Sequence, residues 1–346
     1  MKETISSATS RKMKNMGFLC AVFVVISHVT CWTNALPWTA EWFIFQGIAD
    51  GVARIAVPYF FIASGFFLAR HFDEEGWWLR ETGKRLKSLG PPYVAWSLAA
   101  WLVSVFVSVA FDMVAHRPFA ACLHLPRGND WGVVFGLDLS TYPLNGPLWY
   151  VRCLFALVVA SAALGRVAGK FGIPWLAGSF LFLLLCRCIP AGAWNTCLYH
   201  VALGLFYFSV GITLRKTSPG ALPPAAAPLS GLLGLAFLAA KMAAAARGWP
   251  FTHVLMTIAL PFLLFSVWQM VPGAAWPNGL TSCAFPVFLI HIPVIRLLEP
   301  LLLHAGWGKL PVACAELAAG VACSCAVAWF LRKHAPGMAS VLFGGR

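Results

Sequence analysis

Several ionisable side chains lie inside long apolar runs of this chain, among them His28, Arg54, Arg152, Arg187, His200, His291 and Arg296. Such a group at membrane depth costs several kcal/mol, so it marks a functional site by default. A histidine is the usual general base near neutral pH. An arginine beside it can hold a carboxylate, a phosphate or a developing oxyanion. Together in a dry pocket they suit group transfer, and they suit proton-coupled transport equally well. Each also has an ordinary explanation. Arg187, His200 and Arg296 lie near run ends and can snorkel to the interface, as can Arg54 and Arg152. His28 and His291 can be neutral histidines bonded to a neighbouring helix. Lys241 reads as snorkelling outward.

The elements that carry these residues follow from composition. Hydrophobic residues make up 60% of 346, charged residues 11%, and the mean hydropathy is +0.77. A soluble domain carries about a quarter charged residues, so lipid must cover much of this surface. Apolar runs of about 20 residues, the length that crosses a bilayer as a helix, occur near 16–33, 52–69, 92–114, 147–165, 173–190, 198–214, 228–246, 251–271, 281–298 and 311–331. Barrel strands would be shorter and alternate in polarity. The expected fold is therefore an all-α polytopic bundle of about ten spans. The first run has no small-residue cleavage site after it and reads as the first span.

Charge sets the orientation. With the N-terminus inside, the inside segments hold sixteen of the 25 Lys and Arg residues, and only Arg117, Arg127, Arg247 and Lys309 fall outside. The cytoplasmic side collects such charges, so both termini are expected there. The net charge of +13 thus reports topology and contact with anionic headgroups rather than nucleic acid. In this threading the named arginines and histidines fall in the middle or outer half of the membrane. The chain reads as one membrane domain over 1–346, with a basic cytoplasmic segment at 70–90, an outside loop at 115–146 and a linker at 217–227 containing Pro219, Gly220, Pro223 and Pro224. No internal repeat is evident. The pairs Cys186/Cys188 and Cys323/Cys325 point to different helix faces, and no metal is expected. Nor does the sequence contain G-x-S-x-G, H-E-x-x-H or a phosphate-cradling glycine loop.

Five stretches, in order, resemble the membrane-bound acyltransferase 3 family of bacterial O-acetyltransferases that modify surface sugars. They are AVFVVISH (21–28), RIAVPYFFIASGFFL (54–68), KRLKSLGPPYVAW (84–96), GPLWYVRCL (146–154) and FPVFLIHIPV (285–294). The match is closest to the subgroup resembling the enterobacterial-common-antigen O-acetyltransferase and the intercellular-adhesin modifying protein. Two positions depart from the family pattern. Gly17 stands where many members carry an arginine eleven residues before the histidine, with Lys14 the nearest upstream cation. Phe288 replaces a common tyrosine.

The resemblance implies an acetyl-CoA (acyl-CoA) co-substrate on the cytoplasmic side, no bound cofactor, and a glycan or lipid-linked glycan acceptor. It implies a bacterial inner-membrane location among membrane lipids, with polysaccharide-biosynthesis proteins as partners. His28 would be the general base, with Arg54, Arg152 and His291 as the other catalytic candidates. Asp50 would orient His28. Lys84, Arg85 and Lys87, a compact cationic cluster on the expected cytoplasmic loop, would bind the CoA phosphates. Ser64 and Gly65 read as helix-packing residues. The alternative reading is a transporter or flippase for a lipid-linked sugar or acyl compound.

Overall fold

The computed structural model describes residues 6–29, 38–114, 130–137, 142–188, 195–217 and 224–345. Lys2, Arg117, Arg127, Pro219, Gly220, Pro223 and Arg346 lie outside the described residues, as do most of the 115–146 loop and much of the 217–227 linker. The described elements are helical: α1 (Ser7–His28), α2 (Ala40–Ile44), α3 (Ala56–Ala69), α4 (Trp77–Val114), α5 (Asp130–Val134), α6 (Leu148–Cys188), α7 (Asn195–Thr217), α8 (Ala227–Ala246), α9 (Thr252–Met270), α10 (Asn278–Thr281), α11 (Ala284–His304), α12 (Lys309–His334) and α13 (Pro336–Phe343). Eight helical segments among them are long and apolar enough to cross a membrane.

The count of spans rises to about ten for two physical reasons. Helix α1 is long enough, but Arg11, Lys12 and Lys14 dilute its first turns. Helix α6 has 41 residues, about 60 Å of helix, which is twice the hydrocarbon thickness. It breaks at Gly172, where φ is 51° and ψ is −120°, just before Pro174. The two halves double back. Trp149 of the first half stacks on His200 at 3.8 Å, while Arg187 of the second half lies 3.2 Å over the ring of the adjacent Tyr199. A glycine is required at this turn because other residues avoid positive φ.

Both described ends of the chain lie at one end of the bundle. Arg11 Nε donates to the carbonyl of Gly273 at 3.0 Å, and Arg332 Nη1 donates to Ser282 Oγ at 3.1 Å, so the start of α1 and the end of α12 meet the same connection. Trp96 Nε1 of α4 donates to the carbonyl of Leu342 at 3.0 Å, which seats α13 there too.

Helix α3 is central. It packs along α7 and also meets α1. Gly65 faces the backbone of Phe208 and Gly211 faces that of Ile62, so α3 and α7 touch main chain to main chain. Around this pair a continuous apolar core gathers α1, α6, α9 and α11. Two expectations are corrected. The 70–90 segment is not a loop throughout: from Trp77 it is helical and runs unbroken through Pro91 and Pro92 into the third span. The second span begins earlier than residue 52 and is irregular. A π turn (Phe45–Ala49) and a 3-10 turn (Val52–Ile55) join α2 to α3.

Candidate active site

His28 ends α1, where the helix ladder stops and its side chain turns to its own backbone. Nδ1 lies 2.7 Å from the carbonyl of Val24. A carbonyl only accepts, so the proton sits on Nδ1 and Nε2 keeps its lone pair. The ring borders a cavity of about 540 Å³ whose wall also includes Asp50, Arg54, Arg187, His200 and His253. Tyr142, Trp149 and Tyr199 complete its aromatic side. The convergence expected from depth alone thus holds for His28, Arg54, Arg187 and His200. Arg187 and His200 do not snorkel away. His200, only 2% exposed, is sandwiched against Trp149, with Tyr142 edge-on at 5.1 Å.

Arg54 is presented by the irregular stretch rather than by a regular helix. Its Nη2 lies 2.7 Å and its Nε 3.0 Å from Asp50 Oδ1. Asp50 Oδ2 is 2.7 Å from Lys241 Nζ. Asp50 therefore orients Arg54, whereas His28 takes its orientation from Val24. Lys241 does not snorkel outward as expected: it is 2% exposed and turned into the protein.

His291 lies behind His28 rather than on the cavity wall. The ring centroids are 5.3 Å apart and the planes cross at 61°. Its Nδ1 is 2.8 Å from the carbonyl of Val287, and its Nε2 is buried without a hydrogen-bond partner. Arg152 does not line this cavity, although it lies near His200. Its Nη1 donates to the carbonyl of Gly136, next to Phe135, whose carbonyl accepts from Tyr93 Oη at 2.6 Å. Arg152 is thereby a clamp on the 130–137 segment. Arg296 bonds Ser104 Oγ at 2.9 Å and also lies away from the cavity.

The basic cluster is split by its helix. Lys84 and Lys87 are exposed, and Lys84 pairs with Glu81 at 2.7 Å. Arg85 is half-buried and borders a cavity of about 230 Å³ that reaches Ser64, Tyr150 and Phe288. Phe288 is three residues before His291 on α11, roughly one helical turn. A larger cavity, about 880 Å³, opens at the basic end among Arg70, Phe72, Trp77, Arg166 and Lys216. Ser64 Oγ lies 3.2 Å from Tyr150 Oη, and neither a histidine nor a carboxylate partners it in that bond. Lys14 is exposed, while the open face of Gly17 looks onto Tyr59.

One acid outside the sequence motifs joins this region. Glu316, fully buried, lies on α12 between Ala313, which packs with Val29, and Gly320, which faces Val25 and His291. That places it at the level of the histidine pair. The signal was available, because an acid in the middle of the 311–331 run is as costly as a base. Among the described residues no three His, Cys, Asp or Glu side chains stand together as metal ligands.

The model of the acyltransferase domain family matches residues 15–331, nearly the whole chain and all the elements that build the cavity. No curated protein and no solved structure matches it. The chain belongs to the membrane-bound acyltransferase 3 family and is a multi-pass membrane acyltransferase.

Proposed function

We propose that this acyltransferase moves an acetyl or similar acyl group from acyl-CoA to a hydroxyl of a cell-surface or lipid-linked glycan, in the inner membrane of a bacterium. The observation that carries the reading is His28: one ring nitrogen is fixed by Val24 and the other is left to a cavity that also holds Arg54. In this reading Nε2 takes the proton from the acceptor hydroxyl. The oxygen attacks the thioester carbonyl, and the Arg54 guanidinium stabilises the oxyanion. The carbon–sulfur bond then breaks, and the imidazolium returns the proton to the leaving thiolate.

The donor must reach this point from the cytoplasmic side. The cavity running from Arg85 to Tyr150 and Phe288 supports entry of the pantetheine arm from the basic end. The wider basic cavity with Phe72 and Trp77 supports an anionic nucleotide end outside the membrane. The glycan would enter the His28 cavity from the opposite side, where the exposed Tyr142 offers a sugar-stacking face. The subgroup resemblance supports acetyl as the acyl group.

Inverted membrane vesicles supplied with labelled acetyl-CoA test the reading. Label is expected in polysaccharide or lipid-linked glycan. If a deletion strain instead acetylates normally while unmodified glycan stays trapped inside, the protein is a transporter.

A further inference from the structure

The backbone between α2 and α3 has lost part of its hydrogen-bond ladder, and the loss is specific. The amide of Asp50 bonds the carbonyl of Phe45 at 2.7 Å, one residue further back than a regular helix would. The amide of Arg54 bonds Gly51 at 3.0 Å, one residue closer. Two carbonyls thereby lose their regular i+4 partners: those of Gln46 and Asp50. Backbone acceptors at membrane depth need protein partners. Lys241 Nζ supplies them, 3.3 Å from the Gln46 carbonyl and 3.1 Å from that of Asp50. The same ammonium reaches Gln46 Oε1 at 2.6 Å and Asp50 Oδ2 at 2.7 Å. Lys241 comes from α8, a helix packed chiefly on α9, and does not itself border the His28 cavity.

We infer that Lys241 is a positioning residue for Arg54, acting through Asp50 to hold the guanidinium where it faces the reacting centre. The inference rests on the acyltransferase reading of the cavity. A free carboxylate would grip an arginine with both oxygens in a bidentate fork. Here Lys241 occupies Oδ2, so Arg54 meets Oδ1 alone, through Nε and Nη2. Nη1 is left out of that grip. The arginine side chain is 52% exposed, against 2% for Lys241. The triad of two cations and one carboxylate also keeps a net positive charge at the wall. Without Lys241 the Asp50–Arg54 pair would be neutral, and the carboxylate would be free to rotate onto both ends of the guanidinium.

Lys241→Met keeps the length of the side chain and removes its donors. Amide hydrogen exchange across 45–55 is expected to quicken by roughly tenfold or more, with 56–69 unchanged. In folded, monodisperse protein kcat is expected to fall by about tenfold to a hundredfold, less than the roughly hundredfold to thousandfold for outright loss of an oxyanion donor because Arg54 is misplaced rather than removed, while KM for acetyl-CoA moves little. Lys241→Arg should recover part of kcat. The double variant Asp50→Asn, Lys241→Met restores the net charge of the triad but leaves Arg54 without its carboxylate, and should not recover kcat. Full recovery of turnover in that double variant would make Lys241 a counter-charge only and overturn the inference. So would normal kcat, or unchanged exchange, in folded Lys241→Met. Absence of acyl transfer by the wild-type protein would fail the functional reading instead, and the exchange result would still report whether the lock exists.

Discussion

The rings of His28 and His291 meet edge to face with their centroids 5.3 Å apart, each tied through Nδ1 to a carbonyl one turn back on its own helix. The two helices are thereby fixed in azimuth at the point where the cavity begins. Like charges at this separation in a dry site disfavour each other, so a proton taken up by His28 is not shared with a second one on His291. In the proposed reaction the front histidine, His28, exchanges protons with the cavity, and the buried one packs behind it.

His28→Ala is expected to lower acyl transfer by about a hundredfold to ten-thousandfold in folded protein, the usual cost of a lost general base. His28→Gln should do the same, since its amide cannot take a proton at neutral pH. His291→Gln should cost less. Activity divided by the amount of monodisperse protein in detergent checks all three. Near-normal turnover in both His28 variants, or a larger loss in His291→Gln, would move the proton chemistry to His291.

Depth was legible in the sequence, and azimuth was not. Counting along an apolar run places His28, Arg54, Arg187 and His200 at similar levels, and they do share a cavity. Counting gives Arg152 the same level, yet its side chain turns to Gly136. It gives Lys241 a span of small and apolar residues, and the choice between lipid and protein is made by the broken backbone it meets. That break has a local signature, Gln46, Gly47, Asp50 and Gly51 within one apolar stretch. Its partner is 191 residues away in sequence. The hairpin in α6 was legible as two runs, 147–165 and 173–190, with Gly172 just before the second. The continuation of α4 back to Trp77 was not, because the apolar run begins only at residue 92 and the residues before it are basic and polar.

Topology follows from the shared end of the termini and the charge bias. Reporter fusions at Lys216 and at the C-terminus should both read cytoplasmic, and one within 115–146 should read external. A C-terminal fusion that reads external would leave an odd number of crossings and undo the assignment of α6 as two spans.

Arg85 should account for most of the donor affinity of its cluster, because it alone of the three lines the inner cavity. Arg85→Ala is expected to raise KM for acetyl-CoA by about tenfold, the size of a lost hydrogen bond to a charged group. Lys84→Ala should change it little, since that ammonium is exposed and paired with Glu81. Steady-state kinetics on each single variant decides this. Equal effects from Lys84, Arg85 and Lys87 would show a diffuse surface field rather than a site.

The close approach of α3 and α7 at Gly65 and Gly211 should set the stability of the site's scaffold. Helix α3 follows Arg54 and α7 carries His200, so their separation fixes the width of the cavity between them. A Cβ on Gly65 would land on the carbonyl of Phe208, and one on Gly211 on the carbonyl of Ile62. Both obstacles are backbone, so neither can swing aside as a side-chain tip would. Small residues at such a contact let helices approach closely, which is the main source of association where lipid offers no hydrophobic drive. Gly65→Ala and Gly211→Ala are each expected to cost about 1–3 kcal/mol, the range for overpacking. The double variant should cost less than their sum, because one outward shift of α7 relieves both clashes. Thermal unfolding in detergent reads the stability, and turnover per folded molecule reads the cavity. Unchanged unfolding temperatures would mean that the helices do not meet main chain to main chain, and Ser64 and Gly65 would then lose their packing role.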